Sequence, residues 1–229
     1  MKILAKYTFA LALLFLCHGC FSQEGNSSNF IERDAFVHVE VNSTNILAET
    51  GETRERQGSG SGVIVKSDVN HMLILTAAHV CTPNPNFLEG STFNYITVST
   101  WNRERFLGDI IGIDMVNDLC MLEADFSGLP YIKVSRILPK PGDAVYNLAA
   151  PYGIFGNKFI LTFTGTYAGT IHLDNEQVYT IPAGPGSSGS PVLNANGHLI
   201  GIIHSSTTVM ETISIGPTTE SIIEFVAEF

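Results

Sequence analysis

Three residues in this chain have the types and surroundings needed for nucleophilic chemistry: a serine, a histidine and an aspartate. The serine lies in a turn of small residues, Gly184-Pro185-Gly186-Ser187-Ser188-Gly189-Ser190-Pro191. Glycine tolerates positive φ and close backbone approach, so two N–H groups can converge on one point, as an oxyanion hole requires. The same composition also makes ordinary loops, and the turn alone does not separate the two readings. A serine hydroxyl needs a base, and the base needs an orienting partner. His79 ends Thr76-Ala77-Ala78-His79, directly after an apolar run, and Asp118 opens a second apolar run, Asp118-Leu119-Cys120. Apolar surroundings hold an imidazole in place and strengthen its attraction to a carboxylate.

The elements that must position these residues read as short strands. Alternation predicts a strand over 35–41, and apolar runs predict strands at 72–76 and 118–122. The polar stretch 45–57 reads as an exposed hairpin loop, and the Gly/Ser run 58–62 as a turn leading into a strand at 63–65. Further strands are expected at 94–100, 105–113, 144–149, 159–167, 169–173, 177–181, 192–193 and 199–204, with a crossing near 125–129. The helical patterns are a single turn at 77–80 and a segment at 219–228, with Ile222, Ile223, Phe225 and Val226 as its apolar face. Many short strands at regular spacing point to an all-β barrel or sandwich.

Composition narrows the partners. The 229 residues are 45% hydrophobic and 15% charged, with a net charge of −10. No basic stripe is present, so nucleic acid is not expected as a partner. The Gly58–Gly62 run is not followed by Lys-Ser/Thr, which excludes a phosphate loop. The histidines and acids show no metal-ligand spacing, and no cofactor is expected. His38, His71, His172 and His198 read as surface or strand histidines. Lys2 and Lys6 followed by a short apolar run at 9–16 read as an export signal ending at Ser22, too short to span a bilayer. Removal after Gly19 would instead leave Cys20 for a lipid anchor. The expected organisation is a signal at 1–22, a flexible lead-in at 23–32, a first barrel at 33–126 and a second at 127–229.

Taken together, the three stretches resemble the chymotrypsin-fold, trypsin-like serine peptidases, in the order His, Asp, Ser. Gly186-Ser187-Ser188-Gly189-Ser190-Pro191 looks most like bacterial glutamyl endopeptidases. Gly142-Asp143-Ala144-Val145, Pro151-Tyr152-Gly153 and Phe163-Thr164-Gly165-Thr166 resemble HtrA-type proteases. The resemblance covers roughly residues 36–229. It implies two six-stranded antiparallel β-barrels with a short C-terminal helix. It also implies a secreted or periplasmic endopeptidase acting on protein or peptide substrates. The implied roles are Ser188 as nucleophile, His79 as base, Asp118 as orienter, and the N–H groups of Gly186 and Ser188 as oxyanion donors. Asp114 is the rival carboxylate and reads as a turn residue. The alternative is a catalytically silent member that binds peptides or plays a structural role.

The resemblance also assigns a pocket. The position six before the nucleophile is Pro182, followed by Ala183; no acid stands there, so a trypsin-like preference for Lys or Arg is not expected. His204, Ser205 and Ser206 fall where the family forms a wall of the cleft. His204 comes one residue later than the histidine with which glutamyl endopeptidases read acidic side chains, and such a shift turns a side chain to the other face. Ser187 occupies the place of the aspartate that pairs with a freed N-terminus in trypsin, so activation by that route is not expected. Regulation by an appended peptide-binding domain, as in HtrA types, is not expected either. Cys81 and Cys120 each lie two residues past a triad member, which leaves a disulfide and two buried thiols as alternatives.

Overall fold

Residues 72–77 are buried along their whole length, and this strand carries His79 into position. The structure, a computed structural model, describes residues 31–46, 52–82, 92–126, 128–171, 175–207 and 212–229. The export signal, Cys20, most of the lead-in and His172 lie outside the described residues.

Six antiparallel strands form a closed barrel: β1 (Phe36–Ile46), β2 (Thr53–Ser67), β3 (Met72–Ala77), β4 (Thr92–Thr100), β5 (Arg105–Asp114) and β6 (Leu119–Ala124). They close in the order β1-β2-β3-β6-β5-β4. A one-turn helix, α1 (Ala78–Cys81), follows β3. Val37, Val39, Val63, Ile74, Leu75, Met121 and Leu122, drawn from both faces of these strands, belong to one buried cluster. Two local expectations are corrected. β1 and β2 pair from Phe36↔Val63 out to Ile46↔Thr53, so most of the polar stretch 45–57 is strand. The Gly/Ser run is likewise not a turn but the middle of β2. A Cβ on Gly62 would stand 3.0 Å from Val37 and 3.1 Å from Ile74, so its small size serves close packing inside a strand.

The second half is built from β7 (Ala144–Ala149), β8 (Phe155–Gly156), β9 (Phe159–Ile171), β10 (Glu176–Tyr179), β11 (Ser190–Leu193), β12 (Leu199–Ile203), β13 (Ser205–Ser206) and β14 (Ser214–Pro217). Its order is β12-β11-β7-β9-β10-β14-β13, with β8 on β9. The two ends of this order are successive pieces of one segment, interrupted at His204. The sheet therefore curls round until its ends meet there, and His204 N–H donates to Ile215 O at 3.0 Å. β9 joins what reads in sequence as two strands. The crossing from β6 to β7 is longer than expected, with a single parallel bridge, Val134↔Leu199.

The C-terminal helix α2 (Thr219–Val226) is capped by Thr218, whose side chain accepts from Ser221 N–H. Ile222 and Phe225 are buried in the same cluster as the barrel interior. Leu193, Leu199 and Ile202 join that cluster too, so β11 and β12 pack on the barrel as well as on their own sheet. This packing holds the serine turn against the barrel.

Candidate active site

His79 stands on α1 and is gripped twice by Asp118. Its backbone N–H donates to Asp118 Oδ1 at 2.8 Å, and its ring Nδ1 lies 2.7 Å from Asp118 Oδ2. Asp118 has φ +53, in the left-handed region that Asp tolerates better than most residues. That bend at the start of β6 also lets its carbonyl accept from Ala78 N–H at 3.0 Å. A carboxylate only accepts, so the proton of a neutral ring sits on Nδ1 and the lone pair on Nε2. Burial works against the Asp118 charge, but the hydrogen bonds from the His79 ring and backbone outweigh it and hold the carboxyl below its ordinary range.

Asp114 is the turn residue that its sequence context suggests. Its carboxylate accepts from the backbone N–H groups of Val116 and Asn117 at 2.8 and 3.1 Å. The disulfide alternative holds for the cysteines: Cys81 on α1 and Cys120 on β6 are bonded, across a sequence separation of 39.

The serine turn is held from the barrel side. Ser61 N–H donates to Ser188 O at 2.7 Å. Ser61 Oγ donates to Gly186 O at 2.8 Å and accepts from Ala150 N–H at 3.2 Å, and Ser61 O accepts from Thr76 Oγ at 2.7 Å. Gly189 has φ +84, and a Cβ there would meet Ser61 O and Thr76 Oγ1 at 2.1 and 2.2 Å. The turn thus rests on the end of the strand that leads to His79. Gly186 has φ +94 and lies against Ala150 O. Ser187 is buried and its Oγ accepts from Gly184 N–H at 3.2 Å. Its hydroxyl closes the turn locally. Among the described residues, neither the N–H groups of Gly186 and Ser188 nor Ser188 Oγ has a hydrogen-bond partner within the protein.

A cleft of about 440 Å³ opens beside the turn, lined by Pro182, Ala183, Ser206, Phe163 and Tyr152 among others. His204 and Ser205 are not part of its lining. His204 sits in the break between β12 and β13 and turns away from the cleft, as the one-residue offset implies. Its Nε2 is 3.2 Å from Glu176 Oε1, and its Nδ1 is 4.0 Å from Asp118 Oδ2. Burial lowers its pKa, with Asp118 and Glu176 opposing. Ser205 is exposed and paired with Ile215. Sequence reasoning missed Ser61, hidden in a run that reads as a turn, and Glu176, for which no motif exists.

A closed β-barrel packed on a curled antiparallel sheet is the chymotrypsin-like architecture of the HtrA-type proteases. The trypsin-like peptidase domain matches residues 60–202, and the chain belongs to that family. It is 34% identical over 158 residues to the Do-like serine protease HtrB of Bacillus subtilis, covering 62% of this chain and 31% of that one. It is 30% identical over 159 residues to a periplasmic DegP-like serine endoprotease of Pseudomonas putida, covering 65% and 29%. The chain thus spans about a third of the length of these curated relatives. The fold matches a serine endoprotease from Yersinia pestis with a TM-score of 0.66 at 23% identity, over 91% of this chain and 67% of that one. It also matches the HtrA-type protease AlgW, solved with a decapeptide, with a TM-score of 0.71 at 19% identity, over 87% and 65%.

Proposed function

We propose that the chain is a serine endopeptidase working through His79, Asp118 and Ser188. The observation that carries this reading is the double grip of Asp118 on His79 beside the serine turn. It fixes the tautomer that leaves Nε2 able to take a proton. Ser188 Oγ bonds to the scissile carbonyl carbon while its proton moves to His79 Nε2. The carbonyl π electrons move to oxygen, where the unpaired N–H groups of Gly186 and Ser188 receive the charge. Collapse re-forms the carbonyl, breaks the C–N bond, and the proton on Nε2 goes to the leaving amine. Water then repeats the sequence on the acyl-enzyme and frees Ser188. Asp118 stays ionised throughout and stabilises the imidazolium.

The cleft at Pro182 and Ala183 receives the side chain before the cut. With no acid among its lining residues, it favours an apolar side chain over Lys or Arg. The DegP-like relatives are described as periplasmic, which supports work outside the cytoplasm. An organophosphonate probe tests the mechanism: the wild type labels at Ser188 and Ser188→Ala does not. An unlabelled wild type would point instead to a silent peptide-binding member.

A further inference from the structure

A second cavity, of about 400 Å³, is distinct from the Pro182 cleft. Gly58 and Ser59 of β2 line it on one side, and Gly153 and Phe155 on another. Both walls abut the turn. Gly60, next along β2, packs against Val80 and Ser188 O, and Tyr152 N–H donates to Pro185 O at 2.6 Å. The 151–155 segment contributes to both cavities, Tyr152 to the Pro182 cleft and Gly153 and Phe155 to this one. If the acyl side of a substrate fills the Pro182 cleft, the residues leaving with the amine pass along the other.

The second cavity has a distinct chemistry. Arg103 and Arg105 line it, with Glu40 as the one carboxylate among its described lining residues. Arg105 Nη2 is 2.5 Å from Glu40 Oε2. Arg103 lies 5.4 Å over the Phe155 ring and makes one long bond, 3.4 Å, to Phe155 O. Each guanidinium carries five N–H donors, so most of these donors have no acceptor among the described residues. His38, 8% exposed, stacks on Phe155 and has no hydrogen-bond partner at Nε2. Burial lowers its pKa, so it adds no cation near neutrality. The described lining residues thus hold two cations against one anion, in a chain whose net charge is −10. A planar fork with spare donors matches a carboxylate.

We propose that this cavity binds a carboxylate of the substrate, on the side that departs with the amine. The proposal rests on the endopeptidase reading for its direction along the substrate. Its test measures binding and so does not depend on turnover. Labelled decapeptides carrying Glu or Gln at each position in turn, amidated at the C-terminus, are titrated into the Ser188→Ala protein by fluorescence anisotropy. A parallel Gln series keeps a free C-terminus, which separates a side-chain carboxylate from a terminal one. We expect roughly fivefold tighter binding for a carboxylate at a defined position. That preference should vanish in Arg103→Gln and rise in Glu40→Gln, which frees Arg105. Equal affinity for Glu and Gln with no gain from a free terminus, or a preference that survives Arg103→Gln, would overturn the proposal. Phosphonate labelling of the wild type reads the catalytic centre separately: an unlabelled protein that keeps the preference sinks the mechanism and leaves the cavity assignment standing.

Discussion

His204 and His79 approach the same carboxylate oxygen: Asp118 Oδ2 is 2.7 Å from His79 Nδ1 and 4.0 Å from His204 Nδ1. Behind His204 stands Glu176, so two acids enclose one half-buried imidazole. The folded protein holds His204 below the ordinary 6.5 because burial disfavours its charge. As pH falls below 6.5 the unfolded chain takes up that proton more readily than the folded one. Stability contributed by the neutral ring is therefore present above 6.5 and declines as pH drops towards the folded value. His204→Asn should flatten this decline in urea titrations run from pH 7.5 to 5. Glu176→Gln should extend it to lower pH, because Glu176 raises the pKa of His204. Identical pH profiles for wild type and His204→Asn would contradict this account.

Asp118 acts in a different window. Its carboxyl is held below 3.8, so its contribution to stability is complete above that value and is lost as pH falls through the lower folded one. The larger effect is on activity. Asp118→Asn keeps the shape but removes the charge and turns one of the two acceptor oxygens into an NH2 donor, and should lower kcat/KM on the order of 10³- to 10⁴-fold. His204→Asn should cost far less, since 4.0 Å is outside hydrogen-bond range. Kinetics of the two variants on one peptide substrate decide this.

The Cys81–Cys120 bond ties the helix that carries His79 to the strand that follows Asp118. Closing a loop of this length is worth roughly 4 kcal/mol in the chain-entropy model. The double variant Cys81→Ser, Cys120→Ser should lose a comparable amount in denaturant unfolding, and Ala in place of Ser should lose less. A loss below about 1 kcal/mol would indicate a strongly structured unfolded state instead.

Gly189→Ala should abolish phosphonate labelling. The added methyl meets backbone and hydroxyl oxygens that have little room to move, at a φ that L residues rarely adopt. Gly58→Ala, where nothing lies within 4 Å, is the matched control for stability and should unfold within about 0.5 kcal/mol of wild type. Comparable loss of labelling in both variants would remove the packing explanation.

Much of the architecture was legible because its signals are local. The apolar runs around 72–77 and 119–124, the capped helix after Thr218 and the all-β spacing all follow from periodicity. The His79–Asp118 pairing was legible only through the order of three short motifs. The failures have a common cause. Residues 58–62 have turn composition but run as strand, and 60–62 are close-packed, because what they adjust to is Val37, Ile74 and Ser188, which are distant in sequence. Glu176 and His204 meet because a strand breaks where a sheet curls onto itself, and the chain carries no local mark of that meeting.

Ser61 belongs to the barrel, yet its N–H, hydroxyl and carbonyl reach Ser188, Gly186, Ala150 and Thr76. The shape of the serine turn is therefore written partly in a strand more than a hundred residues earlier. Modular exchange would expose this. A chimera that grafts the second half of this chain onto another barrel must supply a residue with the same two donors and two acceptors at that one place, or the transplanted turn arrives without its template.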